Sequence, residues 1–395
     1  MTEPTSRLTA APSTFPRLRI AIYYSCMFGM VGIFQPFFPV WLADRGLSAG
    51  EIGLLLSAGS FVRATANPLA ARFADRRPER KPLLVWLCFG GIATACMMLP
   101  AYGFWPVLLL TLLHMAVQAP VNPLGENLIL LNLRARRLDS GRLRAWGSAA
   151  FIATSMGFGA FLEGRSPDWM MYAFIGALVT VWLAAQRLPD ITATPSERGR
   201  PPMRHLLSSP LFLIFLACAA SNMASHAVLT GFATIHWKAA GHSEGLIGFL
   251  WAVGVVAEII LFAFARPLLL RIGIPGMLLL GAACGMIRWT GTGATTELWL
   301  LVPMQMLHGF TFGATHLAGM TFIQRHISPP MSASAQALYA SLGMGMAMGL
   351  TMAASGWLYA GLNGHAFWVM AGLSTLSLML ALVIRRGWRD DTEIG

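Results

Sequence analysis

Residues 105–131 read WPVLLLTLLHMAVQAPVNPLGENLILL, an apolar run long enough for one helix to cross a bilayer. Within it His114, Gln118, Asn122 and Glu126 recur every four residues, a spacing that puts all four on one helical face. The run therefore brings a carboxylate and three polar side chains to membrane depth. Such groups are expensive in hydrocarbon and persist where they line a cavity or an ion path. The pattern points to a transporter.

The rest of the chain has the same character. Its 395 residues are 56% hydrophobic and 11% charged, against about 25% charge in a soluble domain, and the mean hydropathy is +0.61. Twelve spans are predicted, at 18–43, 50–74, 83–102, 105–131, 143–163, 169–187, 209–237, 245–266, 274–292, 298–323, 334–361 and 365–385. The predicted fold is an all-α membrane protein with twelve transmembrane helices in two six-helix bundles. The runs lack the alternation, in segments of about ten residues, that marks a transmembrane barrel.

The net charge of +11 is a topology signal and not a nucleic-acid patch. Of 28 Lys and Arg residues, 23 fall in the termini and in loops on one side of the predicted spans, while the other side holds only Arg45, Arg165 and Lys238. The positive-inside rule places both termini in the cytoplasm. All five cysteines lie inside apolar spans without metal-ligand spacing, so they read as small buried hydrophobes. The first span is too long for a signal-peptide core and is expected to stay in the mature protein.

The Pro-, Arg- and Ser-rich segment 188–208 divides the chain into an N-terminal bundle, 1–187, and a C-terminal bundle, 209–395, with 188–208 as a cytoplasmic loop. At an offset of 195 residues Gly46-Leu47-Ser48-Ala49-Gly50-Glu51-Ile52-Gly53 falls on Gly241-His242-Ser243-Glu244-Gly245-Leu246-Ile247-Gly248. At an offset of 194, Leu113-His114 falls on Leu307-His308 and Gly125 on Gly319. A parallel six-plus-six repeat of this kind builds transporters whose substrate site lies between the halves.

At these residues the chain resembles the major facilitator superfamily along its whole length. Asp75-Arg76-Arg77-Pro78-Glu79-Arg80-Lys81 looks like that family's loop signature between spans 2 and 3, with Ala71 and Pro78 where glycines are usual. The resemblance implies that Asp75 and Arg76 help to lock neighbouring helix ends, a gating role. Gly141-Arg142-Leu143-Arg144-Ala145-Trp146-Gly147-Ser148, Ser225-His226-Ala227, Thr234-Ile235-His236-Trp237 and Gly254-Val255-Val256-Ala257-Glu258-Ile259 resemble the phenylpropionate-permease-like branch, related to the lactose permease and to nucleoside proton symporters.

Glu126 with Arg144, across a short hairpin, is similar to an acid–arginine pair in the substrate site of the lactose permease. The pair reads either as a cargo contact or as a salt bridge at the membrane edge, although a buried ion pair gains little net stability. His114, Gln118 and Asn122 read as cavity-lining or as helix–helix hydrogen-bonding groups. Asn222, His226 and Thr230 make a second polar face on span 7; the resemblance implies that this span lines the cavity, so Asn222 and His226 are expected to bind the substrate. Gln35, expected to bind the substrate, lies among the span 1 aromatics Tyr23, Tyr24, Phe28, Phe34, Phe37 and Phe38, which suit packing or an aromatic cargo.

Glu258, Arg288 and His308 lie mid-span in spans 8, 9 and 10. The Arg288–His308 spacing is similar to the proton-coupling region of the lactose permease, but Thr311 stands where that permease has its proton-carrying carboxylate. Glu258 then becomes the candidate proton carrier, or else half of a permanent bridge to Arg288. Arg63 falls opposite Glu258 at the 195-residue offset, which reads as a state-dependent gating bridge or as a snorkelling side chain.

There is no P-loop or nucleophile elbow, so no enzyme, cofactor or metal is expected. The expectation is a monomeric permease of a bacterial inner membrane, taking up a small organic solute with protons. An aromatic acid is the cargo that the resemblance favours, with sugars and nucleosides open. The alternatives are a proton-driven efflux antiporter and, in another class, a transport-inactive sensor or assembly protein.

Overall fold

The computed structural model describes residues 16–75, 79–136, 140–190, 204–328 and 331–388, and they are almost wholly helical. In chain order they form α1 (Pro16–Asp44), α2 (Ala49–Asp75), α3 (Lys81–Met98), α4 (Phe104–Gln118), α5 (Val121–Arg136), α6 (Ser140–Leu162), α7 (Asp168–Gln186) and the short α8 (Arg204–Ser208). Then follow α9 (Pro210–Ala224), α10 (Ala227–Ala239), α11 (Glu244–Ala263), α12 (Ala265–Ala294) and α13 (Leu298–Met306). A π-helical stretch (Gly309–Ala314) leads to α14 (Thr315–His326), and α15 (Ser332–Leu338) leads through a second π stretch (Tyr339–Met346) to α16 (Ala347–Leu362) and α17 (Ala366–Arg386). In lipid a backbone must satisfy its own polar groups, which is why apolar runs of this length become helices.

Among the described residues, nine helical stretches are long and apolar enough to cross a membrane. One of them, Ser334–Arg386, takes in both predicted spans 334–361 and 365–385. Two predicted spans fall outside the nine. Glu51, Arg63 and Arg72 dilute the apolar character of α2, and 298–323 is cut into α13, the π stretch and α14.

Three spans expected as single helices are interrupted where their polar residues sit. Between α4 and α5 the chain turns at Ala119-Pro120, because Pro120 and Pro123 lack the N–H groups that would carry the helix through. Between α9 and α10 the hydroxyl of Ser225 donates to the carbonyl of Asn222 at 2.6 Å, in competition with the helical ladder. In 298–323 the wider π turn replaces the α turn, a rare feature that clusters at functional sites. The apolar pattern carries no sign of these breaks beyond the prolines.

Backbone proximity separates two compact units, one made of Met1–Gly46 and Val62–Arg198, the other of Leu47–Phe61 and Gly199–Gly395. In the first unit α1 packs along α6 and α7, and α3 along α4 and α7. Arg45, 3% exposed, pairs with Asp168 and lies over the rings of Trp41 and Tyr102, tying the ends of α1 and α7 together. In the second unit α12 and α9 both pack on α17, and the first π stretch lies against α11 and α12.

The repeat found in the sequence has a structural meaning. Gly46 and Gly241 both hold a positive φ, 83° and 92°, which glycine adopts at no steric cost. Ser48 and Ser243 then cap the helices that follow. Ser48 exchanges hydrogen bonds with Glu51, its backbone N–H donating to Oε2 at 2.8 Å, a capping box. The Ser243 hydroxyl oxygen accepts from the N–H of Leu246 at 3.4 Å.

Candidate functional site

The polar stripe of α4 and α5 opens onto a cavity of about 250 Å³ inside the first unit. One wall is apolar: Met27, Phe28, Met30, Val31 and Phe34 of α1, with Phe174 of α7. Phe34 packs on Phe174 with ring centroids 4.5 Å apart, and Phe174 meets the edge of His114 at 5.5 Å. The other wall carries the polar groups, Arg63 and Asn67 of α2 with His114, Gln118 and Asn122, and Met115 and Val121 lie among them. The break at Ala119-Pro120 falls within this wall, and Ala119 and Pro123 also line the cavity.

Hydrogen bonding fixes how His114 presents itself. The hydroxyl of Thr94 donates to the carbonyl of Gly90 at 2.8 Å, so its oxygen accepts from His114 Nδ1–H at 2.9 Å. Nε2 is then the acceptor nitrogen of a neutral ring. The Gln118 amide donates to the sulfur of Met30 at 3.6 Å and presses Oε1 against Gly91, where any added Cβ would collide with it.

Glu126, half-buried, lies one helical turn beyond Asn122 and is not among the cavity-lining residues. Its Oε1 accepts from the hydroxyl of Tyr24 at 2.7 Å, and the Tyr24 ring stacks on Phe28 of the cavity wall. Its expected partner Arg144, like Asp75, has a side chain outside the described residues, and Arg76 lies wholly outside them. Gln35 sits on an exposed face of α1 and does not line the cavity. Of the span 1 aromatics, Phe28 and Phe34 face the cavity, whereas Tyr23, Phe37 and Phe38 are buried packing.

The second unit gathers its polar residues into a network. Arg288 of α12 is 1% exposed. Its Nη1 donates to Nδ1 of His308 at 3.0 Å and to the Thr311 hydroxyl at 3.0 Å, and its Nη2 donates to Oε1 of Gln305 at 2.9 Å. The guanidinium also lies over the Trp289 ring, 4.4 Å from its centroid. His308 Nε2 is 4.0 Å from Glu258 Oε2, so His308 stands between Arg288 and Glu258. The alternative of a direct Glu258–Arg288 bridge gives way to this arrangement, because the hydrogen bonds of Arg288 go to neutral acceptors.

Asn222 and His226 are buried in the same network. The Asn222 amide donates to the carbonyl of Thr311 at 2.9 Å and to the Thr315 hydroxyl at 2.8 Å. His226 Nδ1 faces the carbonyls of Asn222 and Met223 at 3.1 and 3.3 Å, and its Nε2 lies 3.1 Å from the Thr311 hydroxyl. Trp289 Nε1–H donates to the Ser225 hydroxyl at 2.8 Å.

Thr94, Asn67 and Gln305 were not singled out from the sequence. Thr94 and Gln305 carry a signal: Thr94 stands 194 residues before Arg288, and Gln305 one turn before His308. Thr311 was named from the sequence as the place where the lactose permease has its proton-carrying carboxylate, with no role of its own, since a threonine in an apolar span is an ordinary packing residue.

Comparison with known proteins accords with this geometry. The model of the MFS_1 like family matches residues 17–370. The chain is 34% identical to a protein of Escherichia coli (strain K12) named "Probable 3-phenylpropionic acid transporter", over 91% of this chain and 96% of that one. It is 26% identical to the maltose permease of Geobacillus stearothermophilus, over 92% and 93% of the two chains. Among solved structures, the nucleoside transporter NupG superposes with a TM-score of 0.79 at 16% identity, covering 94% of this chain and 99% of that one; this likeness is one of fold.

Proposed function

This chain belongs to the MFS_1 like family of major facilitator membrane transporters, and on that premise we propose that it takes up a small aromatic acid together with protons. It is a transporter and not an enzyme. The observation that carries the cargo reading is the two-walled cavity of the first unit. Phe28, Phe34, Phe174 and the methionines suit an aromatic ring, and Arg63 with the amides of Asn67, Gln118 and Asn122 suits a carboxylate. The name of the Escherichia coli relative, which states 3-phenylpropionic acid, supports the same class.

Proton coupling is assigned to Glu258, with His308 and Arg288 behind it. An apolar surrounding favours the neutral form of a carboxylate and a nearby cation the ionised form, so a small rearrangement can load or discharge it. Glu126 and Arg144 serve the inner edge of the cargo site, Asn222 and His226 brace the coupling network, and Arg63, Asp75 and Arg76 serve the gate. The bundles 1–187 and 209–395 work by alternating access in a bacterial inner membrane, with both termini cytoplasmic.

The test is uptake of radiolabelled 3-phenylpropionate by proteoliposomes that are acid outside. Accumulation above the equilibrium level is expected, with Glu258→Gln retaining exchange of labelled for unlabelled cargo but losing accumulation. Accumulation only under the reversed gradient would establish efflux instead. Cargo binding without any exchange would make the protein a sensor.

A further inference from the structure

The hydrogen bonds of the second unit converge on Thr311. His226 Nδ1 faces two carbonyl oxygens, so Nδ1 carries the hydrogen and Nε2 accepts. The Thr311 hydroxyl hydrogen has two acceptors within reach, His226 Nε2 at 3.1 Å and the His308 carbonyl at 3.2 Å, and with either one its oxygen accepts from Arg288. Arginine can only donate, so His308 Nδ1 accepts from the other hydrogen of the same Nη1. His308 is therefore a neutral ring with its hydrogen on Nε2, on the side of Glu258.

We propose that Thr311 is the positioning residue of this cluster: by taking one Nη1 hydrogen of Arg288 it aims the other at His308 Nδ1, and so holds His308 as a neutral donor toward Glu258. The π stretch Gly309–Ala314 makes the position available. It turns the Thr311 carbonyl toward the Asn222 amide while the hydroxyl reaches both His226 and Arg288. One residue thus joins α9, α12 and the start of the π stretch. The titratable and charged groups that meet here are His226 between α9 and α10, Glu258 of α11, Arg288 of α12 and His308 itself.

The consequence rests on the proton-coupling reading above; the geometry does not. With Nδ1 occupied by an arginine hydrogen, His308 has no site for a second proton. An entering proton binds a Glu258 carboxylate oxygen, forms the O–H of the acid, and departs from that same oxygen, while His308 keeps its single N–H. Without the Thr311 hydroxyl the guanidinium can turn away, His308 can take a second proton, and the resulting imidazolium holds Glu258 ionised.

The experiment uses the full-length protein in lipid nanodiscs, isotope-labelled at the histidine nitrogens, with the His308 signals assigned by their loss in His308→Gln. The wild type and Thr311→Ser are expected to show a neutral, Nε2-protonated His308 from mildly acidic to mildly basic pH. Thr311→Val, which keeps the shape and removes the hydroxyl, is expected to show a doubly protonated ring on acidification, and roughly tenfold less cargo-driven proton uptake at unchanged cargo affinity. A wild-type His308 protonated on Nδ1, or a Thr311→Val protein with the wild-type signature, overturns the proposal. Thr311→Ala repeats the measurement should the valine variant not fold. If the wild type moves no protons with cargo, the coupling reading falls, and the nitrogen signature still decides the role of Thr311.

Discussion

The two units carry the same histidine in opposite electrical settings. His114 and Thr94 in the first unit stand 194 residues before His308 and Arg288 in the second, and each pair closes a hydrogen bond at Nδ1, of 2.9 and 3.0 Å. In the first unit Nδ1 donates to a hydroxyl and leaves an acceptor on the far side of the ring. In the second Nδ1 accepts from a guanidinium and leaves a donor. One scaffold thus holds a histidine–threonine pair beside the cavity in one unit and a histidine–arginine pair in the other, and the difference rests on which residue faces the histidine from the preceding span. Neutral pairs are inexpensive to bury, whereas a buried charge is costly unless it is hydrogen-bonded. That is why Arg288 is ringed by His308, Thr311 and Gln305 while Thr94 needs only its own helix and His114.

Breaking the charged side should have the largest effect. Arg288→Gln removes the donor shared by His308, Thr311 and Gln305, at about 1–3 kcal/mol for each buried acceptor left unpaired. Proton-driven accumulation is expected to fall by roughly a hundredfold or more, and cargo affinity, measured by tryptophan quenching, by far less. Equal losses of both would show that the division between the units is wrong. On the neutral side, Gly91→Ala pushes a methyl group into the Gln118 amide at an overpacking cost of about 1–3 kcal/mol. Cargo affinity should drop roughly tenfold while the proton-to-cargo ratio stays constant. The smallest effect belongs to Thr94→Val, which removes one neutral hydrogen bond worth about 1 kcal/mol. A fall of a few degrees in melting temperature, with coupling intact, is the expected result; loss of coupling would make the first unit part of the proton path.

The contrast was half legible in the sequence. The four-residue recurrence of His114, Gln118 and Asn122 depends only on helical geometry, and all three line the cavity. The match of His114 with His308 likewise survives as a shared structural position. What could not be read was where the helices stop being regular. Pro120 and Pro123 were visible, yet the surrounding run is so apolar that hydropathy carries a single span through them. Thr311 has no chemistry of its own to announce it, and its partners lie on spans far away in sequence; only the π turn brings them within reach. Glu126 shows the reverse case, since a carboxylate at the right spacing is drawn off by the Tyr24 hydroxyl from the lining that its neighbours form.

The turns at Gly46 and Gly241 carry a further consequence. Each joins a backbone that bends to positive φ with a serine that starts the next helix, while the side chains between them have diverged. The places where these two helices begin are held by backbone geometry that few residues can supply, whereas the positions between glycine and serine, Leu47 and His242, carry unrelated side chains. The internal repeat is thus marked in the structure by the spacing of a bend and a cap.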